Sequence, residues 1–350
     1  MNITSAISKI TSGLNLKENE MSDVMLDLLE GRTTDAQIGA FLIALDMKGE
    51  TVEEVLGAAK IMRKLSAKVE VNKDKLVDTC GTGGSGIGIF NVSTTAAFVA
   101  CACGARVAKH GNRSATRKSG SADLLEAAGV SLELNPSQVS DCIENVGLGF
   151  MFAPGHHSAM KHVIGPRKEI AHKSIFNILG PLTNPASTPN QVMGVYDEKW
   201  MKPVTEVHKS LGSKNVMVVH SEDNLDEISI ASKTKVVELR EDKISEYVIS
   251  PEEFGLELQP LDELKVNSPQ ESLSMAKKAL NGEHSAASSM VALNAGAALY
   301  VSGVDNSLAE GVERALEGIK QKKGLDKLQE LSEYSLSLIH ISEPTRRTPI

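Results

Sequence analysis

Apolar residues recur at helical spacing through the first 70 residues of the chain. One helix is indicated by apolar side chains at i, i+3, i+4, i+7 and i+8, namely Met21, Val24, Met25, Leu28 and Leu29. Gly31 follows, where a left-handed residue commonly ends a helix. Two further helices are predicted to begin at capping boxes, in residues 34–37 and 51–54.

The helix that starts near residue 34 is apolar on more than one face, because it contains Ile38, Phe41, Leu42, Ile43 and Leu45. Such a helix has to be buried from more than one side. We therefore expect its own domain to cover one side and a second copy of the chain to cover another.

From residue 75 the pattern changes to short β-branched runs that alternate with glycine turns and helices. Strands are predicted at 76–79, 106–109, 149–152, 191–196 and 215–220, followed by a hairpin of 236–239 and 247–249. Helices are predicted at 93–103, 121–128, 269–280, 286–300 and 307–321. Residues 175–189 contain three prolines and are predicted to be a connection. The order predicts an α/β fold, in which a small all-helical domain precedes a larger α/β domain with a central, mostly parallel sheet flanked by helices.

The last stretch, residues 337–350, contains two prolines and two arginines and follows an amphipathic helix predicted to end at 336. We expect a disordered, non-native-looking tail outside the fold, and we assign it no function.

The net charge of −8, from 37 Lys and Arg against 45 Asp and Glu, disfavours binding to nucleic acid or to an anionic membrane. Neither partner is expected. The longest apolar stretch, 96–105, is about half of the roughly 20 residues that cross a bilayer. The four cysteines, Cys80, Cys101, Cys103 and Cys142, form no CxxC motif and no zinc-ligand spacing. These features predict a cytoplasmic protein.

A glycine-rich turn follows the first predicted strand and reads Gly81-Thr82-Gly83-Gly84-Ser85-Gly86. Such a backbone can approach a phosphate closely and offer several N–H groups to it. Asn91, Ser93 and Thr94 then supply an amide and two hydroxyls at a helix start. The combination indicates an anion or metal–anion site, and a plain tight turn is the alternative.

A basic loop follows the second predicted strand and contains Lys109, Arg113, Arg117 and Lys118. Ligands of open α/β sheets bind at the carboxyl ends of strands, which favours a ligand-binding loop. A solvated charged surface is the alternative.

An acidic pair, a single arginine and a group of histidines further along the chain have less specific patterns. Asp226 and Glu227 are neighbouring carboxylates of the kind that bind Mg²⁺ together with substrate phosphates, although a solvated acidic loop has the same pattern. Arg167 fits either a surface charge or an anchor for a carboxylate. Four histidines match no short metal signature and are interpreted as helix-face and surface residues: His156, His157, His162 and His172.

Together these motifs resemble the anthranilate phosphoribosyltransferase family of tryptophan biosynthesis over about residues 3–335. The matching segments are 81–84, 91–94, 109–114, 119–123, 177–185 and 225–227. The resemblance implies Mg²⁺-dependent transfer of the phosphoribosyl group of phosphoribosyl pyrophosphate to the amine of anthranilate, with release of pyrophosphate. It also implies a homodimer joined through a helical domain of residues 1–70, to which a crossover at 168–190 returns. The α/β domain would comprise 71–167 and 191–336.

By the same resemblance, Ser93, Asp226 and Glu227 hold Mg²⁺. Arg167 pairs with the anthranilate carboxylate, and Lys109 and Asn112 are the catalytic residues, which act by charge and position without a covalent nucleophile. The substrate-binding residues implied are Gly81, Gly84, Ser85, Asn91, Ser93, Thr94, Lys109, His110, Asn112, Ser121 and Arg167. The chain departs from the family pattern at Ser85, where an aspartate is usual, at Ile89, at residues 116–117 and at residues 173–174.

Two other functions stay open at this point. Pyrimidine nucleoside phosphorylases resemble this fold and also have a lysine-rich loop after the second strand, but a different glycine and serine pattern is expected there in place of residues 112–114. A non-catalytic homologue that binds nucleic acid is the other alternative, and the net charge of −8 disfavours it.

Overall fold

A computed structural model describes residues 1–84, 86–114 and 118–341 of the chain. The helices of this part are α1 (Ile3–Thr11), α2 (Glu18–Leu29), α3 (Asp35–Lys48), α4 (Val52–Leu65), α5 (Val92–Ala102), α6 (Ser121–Ala127), α7 (Pro136–Asn145), α8 (Ala153–His156), α9 (Lys161–Ile170), α10 (Phe176–Leu182), α11 (Met201–Ser210), α12 (Pro269–Leu280), α13 (Ser285–Ser302), α14 (Leu308–Lys320) and α15 (Lys323–Ile341). The strands are β1 (Leu76–Gly81), β2 (Arg106–Gly111), β3 (Leu148–Phe152), β4 (Asn190–Gly194), β5 (Asn215–Ser221), β6 (Thr234–Arg240) and β7 (Lys243–Ile249).

Helices α1 to α4 form the predicted helical domain. Both capping boxes are present, at Thr34 with Gln37 and at Thr51 with Glu54, and Gly31 after α2 has the left-handed φ of 73°. Helices α9 and α10 return to this bundle, where α9 packs against α2 and α3 and α10 packs against α4. The return therefore begins at Lys161, earlier than the predicted residue 168.

The seven strands form one sheet in the order β3-β2-β1-β4-β5-β6-β7. The five strands from β1 to β5 pair in parallel, and β5, β6 and β7 pair antiparallel. The predicted mostly parallel sheet and its closing hairpin are confirmed. Parallel strands present all their carboxyl ends at one edge, and the predicted functional residues follow those ends.

Alternate residues of each strand are buried on opposite faces of the sheet, as the period of two requires. In β5, Val216 and Val218 pack into a core shared with the helical domain, whereas Met217 and Val219 pack into a core shared with α5 and α13. Because both faces are covered, β4 is buried throughout and β5 is buried at every residue after Asn215.

Helices α7, α9 and α11 are absent from the predicted elements, and α10 lies within the predicted connection 175–189. Of these, α7 and α11 carry recognisable signals. Asn135 caps α7, with Pro136 in its first turn and Gln138 completing a capping box. Helix α11 buries Met201, Val204 and Val207 on one side.

The predicted end of the fold at residue 336 is wrong, because α15 continues to Ile341. Leu328, Leu331 and Leu338 extend one apolar stripe along it, and Leu338 packs beside the core. Gln138 Nε2 of α7 also donates to the Leu338 backbone oxygen at 2.9 Å. Residues 342–350 of the predicted tail lie outside the described part of the chain.

Two observations concern the predicted compartment. None of the helices in the described ranges is long and apolar enough to cross a membrane. All four cysteines are free, and burial raises the pKa of the Cys101 and Cys142 thiols to about 12.

Candidate active site

The glycine turn after β1 and the acidic loop after β5 form one unit. Gly83 donates its backbone N–H to Asp226 Oδ2 at 2.8 Å. A Cβ on Gly81 would collide with Asp226 Oδ2, and one on Gly194 would collide with the Asp226 backbone. Only glycines at these two strand ends therefore allow Asp226, which is 2% exposed, to lie against the turn.

Glu227 and Ser93 line one small cavity beside this unit, together with Thr79, Cys80 and Asn294. The cavity has a volume of about 10 Å³, enough for about one water molecule. Asn294 of α13 holds the acidic loop in place, since its Oδ1 accepts from the Ile228 N–H at 3.0 Å and its Nδ2 donates to the Ile228 oxygen at 2.9 Å.

The donor set at this place fits a hard cation that also binds substrate. Asp226, Glu227 and Ser93 offer oxygen atoms alone, which Mg²⁺ prefers, and two carboxylates are the number it takes when substrate phosphates complete its shell. Among the described residues, no three His, Cys, Asp or Glu side chains come together as an all-protein metal site.

The first turn of α5 is fixed from two sides through Asn91. Asn91 Oδ1 accepts from the hydroxyls of Ser119 and Ser272, both at 2.7 Å, and its Nδ2 donates to the Ser119 oxygen at 3.1 Å. Thr94 is 1% exposed, and its hydroxyl has no hydrogen-bond partner in the part of the chain that the structure covers. The turn therefore presents Ser93 and Thr94 with their backbone already anchored.

Lys109 is buried, with 2% of its surface exposed. Its Nζ donates to the backbone oxygen of Thr79 on β1. Burial lowers the pKa of Lys109, whereas the carboxylates of Asp78 and Glu227 act in the opposite direction. The Nζ cation lies at Thr79, which lines the same cavity as Glu227.

His110 and His157 form a buried pair, with ring centroids 5.1 Å apart. Burial lowers the pKa of His110 to about 3 and that of His157 to about 4, so both rings are neutral at pH 7. The Nε2 atoms of both rings are buried without a partner among the described residues. The interpretation of His156 and His157 as helix-face and surface residues is wrong as to exposure: they are 3% and 6% exposed, because His156 is hydrogen-bonded with Ala67 and His157 packs against the His110 ring.

Arg167 and His110 contact the same face of α10. The Arg167 guanidinium lies 4.9 Å from the centre of the Phe176 ring, and His110 Nδ1 lies 3.2 Å from the Gly180 oxygen, one helical turn further on. Burial lowers the pKa of Arg167. No carboxylate of the described chain forms an ion pair with Arg167, and its guanidinium packs on the Phe176 ring.

The basic loop after β2 is held by its own acids. Arg113 pairs with Asp123 and Glu126 at 2.8 Å each, and Asp123 Oδ2 accepts from the Gly120 N–H at 2.8 Å. Asn112 is exposed, and its backbone oxygen accepts from the Ser121 hydroxyl at 3.2 Å. The predicted residues Ser85 and 115–117 lie outside the described residues.

Comparison with known proteins covers both domains. A family model described as "Glycosyl transferase family, a/b domain" matches residues 73–325, and one described as "Glycosyl transferase family, helical bundle domain" matches residues 4–66. A protein of Marinomonas sp. named anthranilate phosphoribosyltransferase is 54% identical over 337 residues, which are 96% of this chain and 97% of that protein. The chain belongs to the anthranilate phosphoribosyltransferase family.

Solved structures of the anthranilate phosphoribosyltransferase family share the whole fold. The enzyme of Thermus thermophilus is 40% identical, with a TM-score of 0.89 over 95% of this chain and 99% of its own. The enzyme of Saccharomyces cerevisiae, in complex with PRPP (phosphoribosyl pyrophosphate) and Mg, is 27% identical, with a TM-score of 0.87 over 96% of this chain and 98% of its own.

Several residues that shape this anthranilate phosphoribosyltransferase site were not predicted. Asp78, Asn294, Ser272 and His157 are buried and hold site residues through hydrogen bonds or ring contact. An isolated polar residue in an apolar strand, such as Asp78 in Leu-Val-Asp-Thr, was the available signal. Ser272 and Asn294 lie about 180 and 70 residues from their partners, and no local pattern marks them.

Proposed function

We propose that the chain transfers the phosphoribosyl group of phosphoribosyl pyrophosphate to the amine of anthranilate and releases pyrophosphate. Membership of the family supports this reaction, and so does the pairing of the glycine turn with Asp226 beside the cavity of Ser93 and Glu227. The relatives named for this activity favour it over the phosphorylase and nucleic-acid-binding alternatives.

Cleavage of the bond from ribose C1 to pyrophosphate places positive charge on the sugar and negative charge on the leaving group. Catalysis can therefore be electrostatic and positional. We assign Mg²⁺ to Ser93, Asp226 and Glu227, where a bound ion supplies positive charge against the diphosphate. Lys109, buried with its Nζ at Thr79, adds a second positive charge that water screens little.

The phosphate groups are assigned to backbone and hydroxyl donors at the strand ends. Gly81 and Gly84 of the glycine turn, together with Asn91 and Thr94, would face the diphosphate. Ser85 is assigned to the same group from the sequence alone, since it lies outside the described residues. Ser121 would face the 5′-phosphate from the start of α6. Gly83 and Gly84 have φ values of 67° and 83°, which glycine adopts without strain, and the Gly83 N–H is already bonded to Asp226.

Anthranilate is assigned to the side of the β2 end that faces α9 and α10. Arg167 is half-buried without an ion-pair partner in the described chain, and its planar guanidinium suits a carboxylate. His110 is neutral and keeps a free Nε2, and Asn112 lies two residues further on. An aryl amine is neutral at pH 7, so these residues need to orient it and no general base is required.

Two further properties belong to this proposal. We propose a homodimer through the helical domain, because Met47 at the end of α3 is 82% exposed and Ile164 of the adjoining α9 is 41% exposed. We propose a cytoplasmic location, which agrees with four unpaired cysteines. Sedimentation of the purified chain tests the dimer.

The reaction is tested by the loss of anthranilate fluorescence with phosphoribosyl pyrophosphate and Mg²⁺. Consumption of anthranilate with equimolar release of pyrophosphate is the expected result. Phosphorolysis of thymidine or uridine in its place would support the phosphorylase, and a salt-dependent shift of labelled DNA would support the nucleic-acid-binding homologue.

A further inference from the structure

The sheet opens between β1 and β2 at its carboxyl edge. Both strands lie wholly within the described residues, and they pair with each other at Leu76 and Val77. Beyond that point β1 continues to pair with β4 as far as Gly81, and β2 continues to pair with β3 as far as Gly111. The backbone groups of the facing strand edges therefore need other partners.

Two side chains take the place of the missing ladder bonds. Lys109 of β2 donates its Nζ to the Thr79 oxygen of β1. In the reverse direction, Asp78 of β1 accepts the His110 N–H of β2 on its Oδ1 at 3.2 Å. Asp78 and Lys109 point to opposite faces of the sheet. Asp78 shares its face with Leu76, two residues earlier, and Lys109 shares the other face with Val107, and these two apolar residues belong to different cores.

Asp78 is also the centre of contacts to the crossover. Its Oδ2 accepts from Asn184 Nδ2 at 2.8 Å and from Gln191 Nε2 at 3.1 Å. Gln191 Nε2 also contacts the Pro181 oxygen at 2.8 Å, at the end of α10. Asp78, Asn184 and Gln191 are all at most 2% exposed, so water does not compete for these bonds.

We infer that Asp78 is a positioning residue for the aromatic substrate. Its carboxylate holds the strand end of His110 and helix α10 together as one unit. Three N–H donors converge on its two oxygens, and only a carboxylate accepts from all three. Burial raises the pKa of Asp78, while the donors and the nearby Lys109 act against that rise. The inference rests on the proposed function, because it assigns His110 and Arg167 to anthranilate.

The substitution Asp78→Asn tests the inference, because it keeps the volume and places an NH₂ against at least one of the three donors. We expect the KM for anthranilate to rise about tenfold, with a fall in kcat, since a buried donor loses a charged acceptor. The KM for phosphoribosyl pyrophosphate should change clearly less than that for anthranilate, because the Lys109 contact with Thr79 is on the other face and Asp78 acts on Lys109 only through its charge.

Asp305→Asn is the matched control. Asp305 is 5% exposed and accepts from Arg314 Nε at 2.8 Å, in the connection between α13 and α14. This variant is expected to lower the melting temperature and to leave both KM values unchanged. If Asp78→Asn behaves in the same way, or raises both KM values equally, the inference is wrong.

Asn184→Ala gives the answer if Asp78→Asn does not fold. It removes one donor to Asp78 and leaves the carboxylate paired with His110. The same selective rise in the anthranilate KM is expected, and unchanged values for both substrates would overturn the inference. Turnover of anthranilate by the wild type tests the proposed reaction separately. Failure of the proposed reaction can therefore be distinguished from failure of the positioning role of Asp78.

Discussion

Gly83 donates its N–H to Asp226 across 143 positions of sequence, at 2.8 Å. The turn assigned to the diphosphate and the acid assigned to the metal are therefore mechanically linked. Loss of the Asp226 carboxylate would alter the turn as well as the cation site, so a substitution there would change both at once. Glu227, the second carboxylate assigned to the metal, lines the cavity of Ser93 and is the residue chosen to test the assignment.

Glu227→Ala should reduce the initial rate at low Mg²⁺ by at least about tenfold. Loss of a partner that only orients a metal ligand commonly costs 10- to 100-fold in affinity, and a direct ligand should cost no less. Part of the rate should return as Mg²⁺ is raised. Titration of Mg²⁺ against initial rate measures this, with the exposed Glu222→Ala of the same loop as control. Superimposable titrations for wild type and Glu227→Ala would remove the metal assignment.

Arg167→Ala should weaken anthranilate selectively. A charge-assisted pair with a carboxylate contributes about 1.5–3 kcal/mol, which corresponds to roughly tenfold to a hundredfold in KM. The KM for phosphoribosyl pyrophosphate should remain near the wild-type value. Steady-state kinetics with each substrate varied would show this, and Lys168→Ala, an exposed neighbour on α9, is the control. Equal weakening of both substrates would mean that the contact with Phe176 is structural.

The elements could be predicted largely from local pattern, and the site only partly. Val216 to Val219 form an apolar run and Thr34 begins a capping box, so strand and helix follow from neighbours in sequence. The contact of Gly83 with Asp226 depends on the strand order, in which β1 and β5 lie on either side of β4. No local sequence pattern predicts that order. The burial of His157 also has no local signal, because His157 packs against the ring of His110 at the end of β2.

The buried His208 should make folding depend on pH. Burial lowers its pKa to about 3, whereas an unfolded histidine has a pKa of about 6.5. Between these values the unfolded chain binds a proton that the native chain does not, so His208 lowers the free energy of unfolding by up to about 1.4 kcal/mol per pH unit as pH falls. The buried His110 and His157 act in the same direction and add to this slope.

Urea unfolding between pH 4 and 6.5 measures this dependence, and His208→Gln should reduce its slope by about one proton. Ser213→Ala is the matched control, because it removes the hydroxyl 3.1 Å from His208 Nδ1 and keeps the titrating ring. Its slope should stay steep while its stability drops at every pH. A His208→Gln slope equal to that of the wild type would contradict the prediction.

Two truncations should separate α15 from the residues that follow it. Removal of 342–350, which contain Pro344 and Pro349, should leave the melting temperature within about one degree, because the last residues of a chain generally contribute little to stability. Removal of 337–350 also deletes Leu338, which packs beside the core and accepts from Gln138 at 2.9 Å. Burial of one leucine contributes about 1.5–3 kcal/mol when complete, so the shorter chain should melt several degrees lower. Differential scanning calorimetry of both proteins decides the point, since equal melting temperatures would show that the last turn of α15 adds no stability.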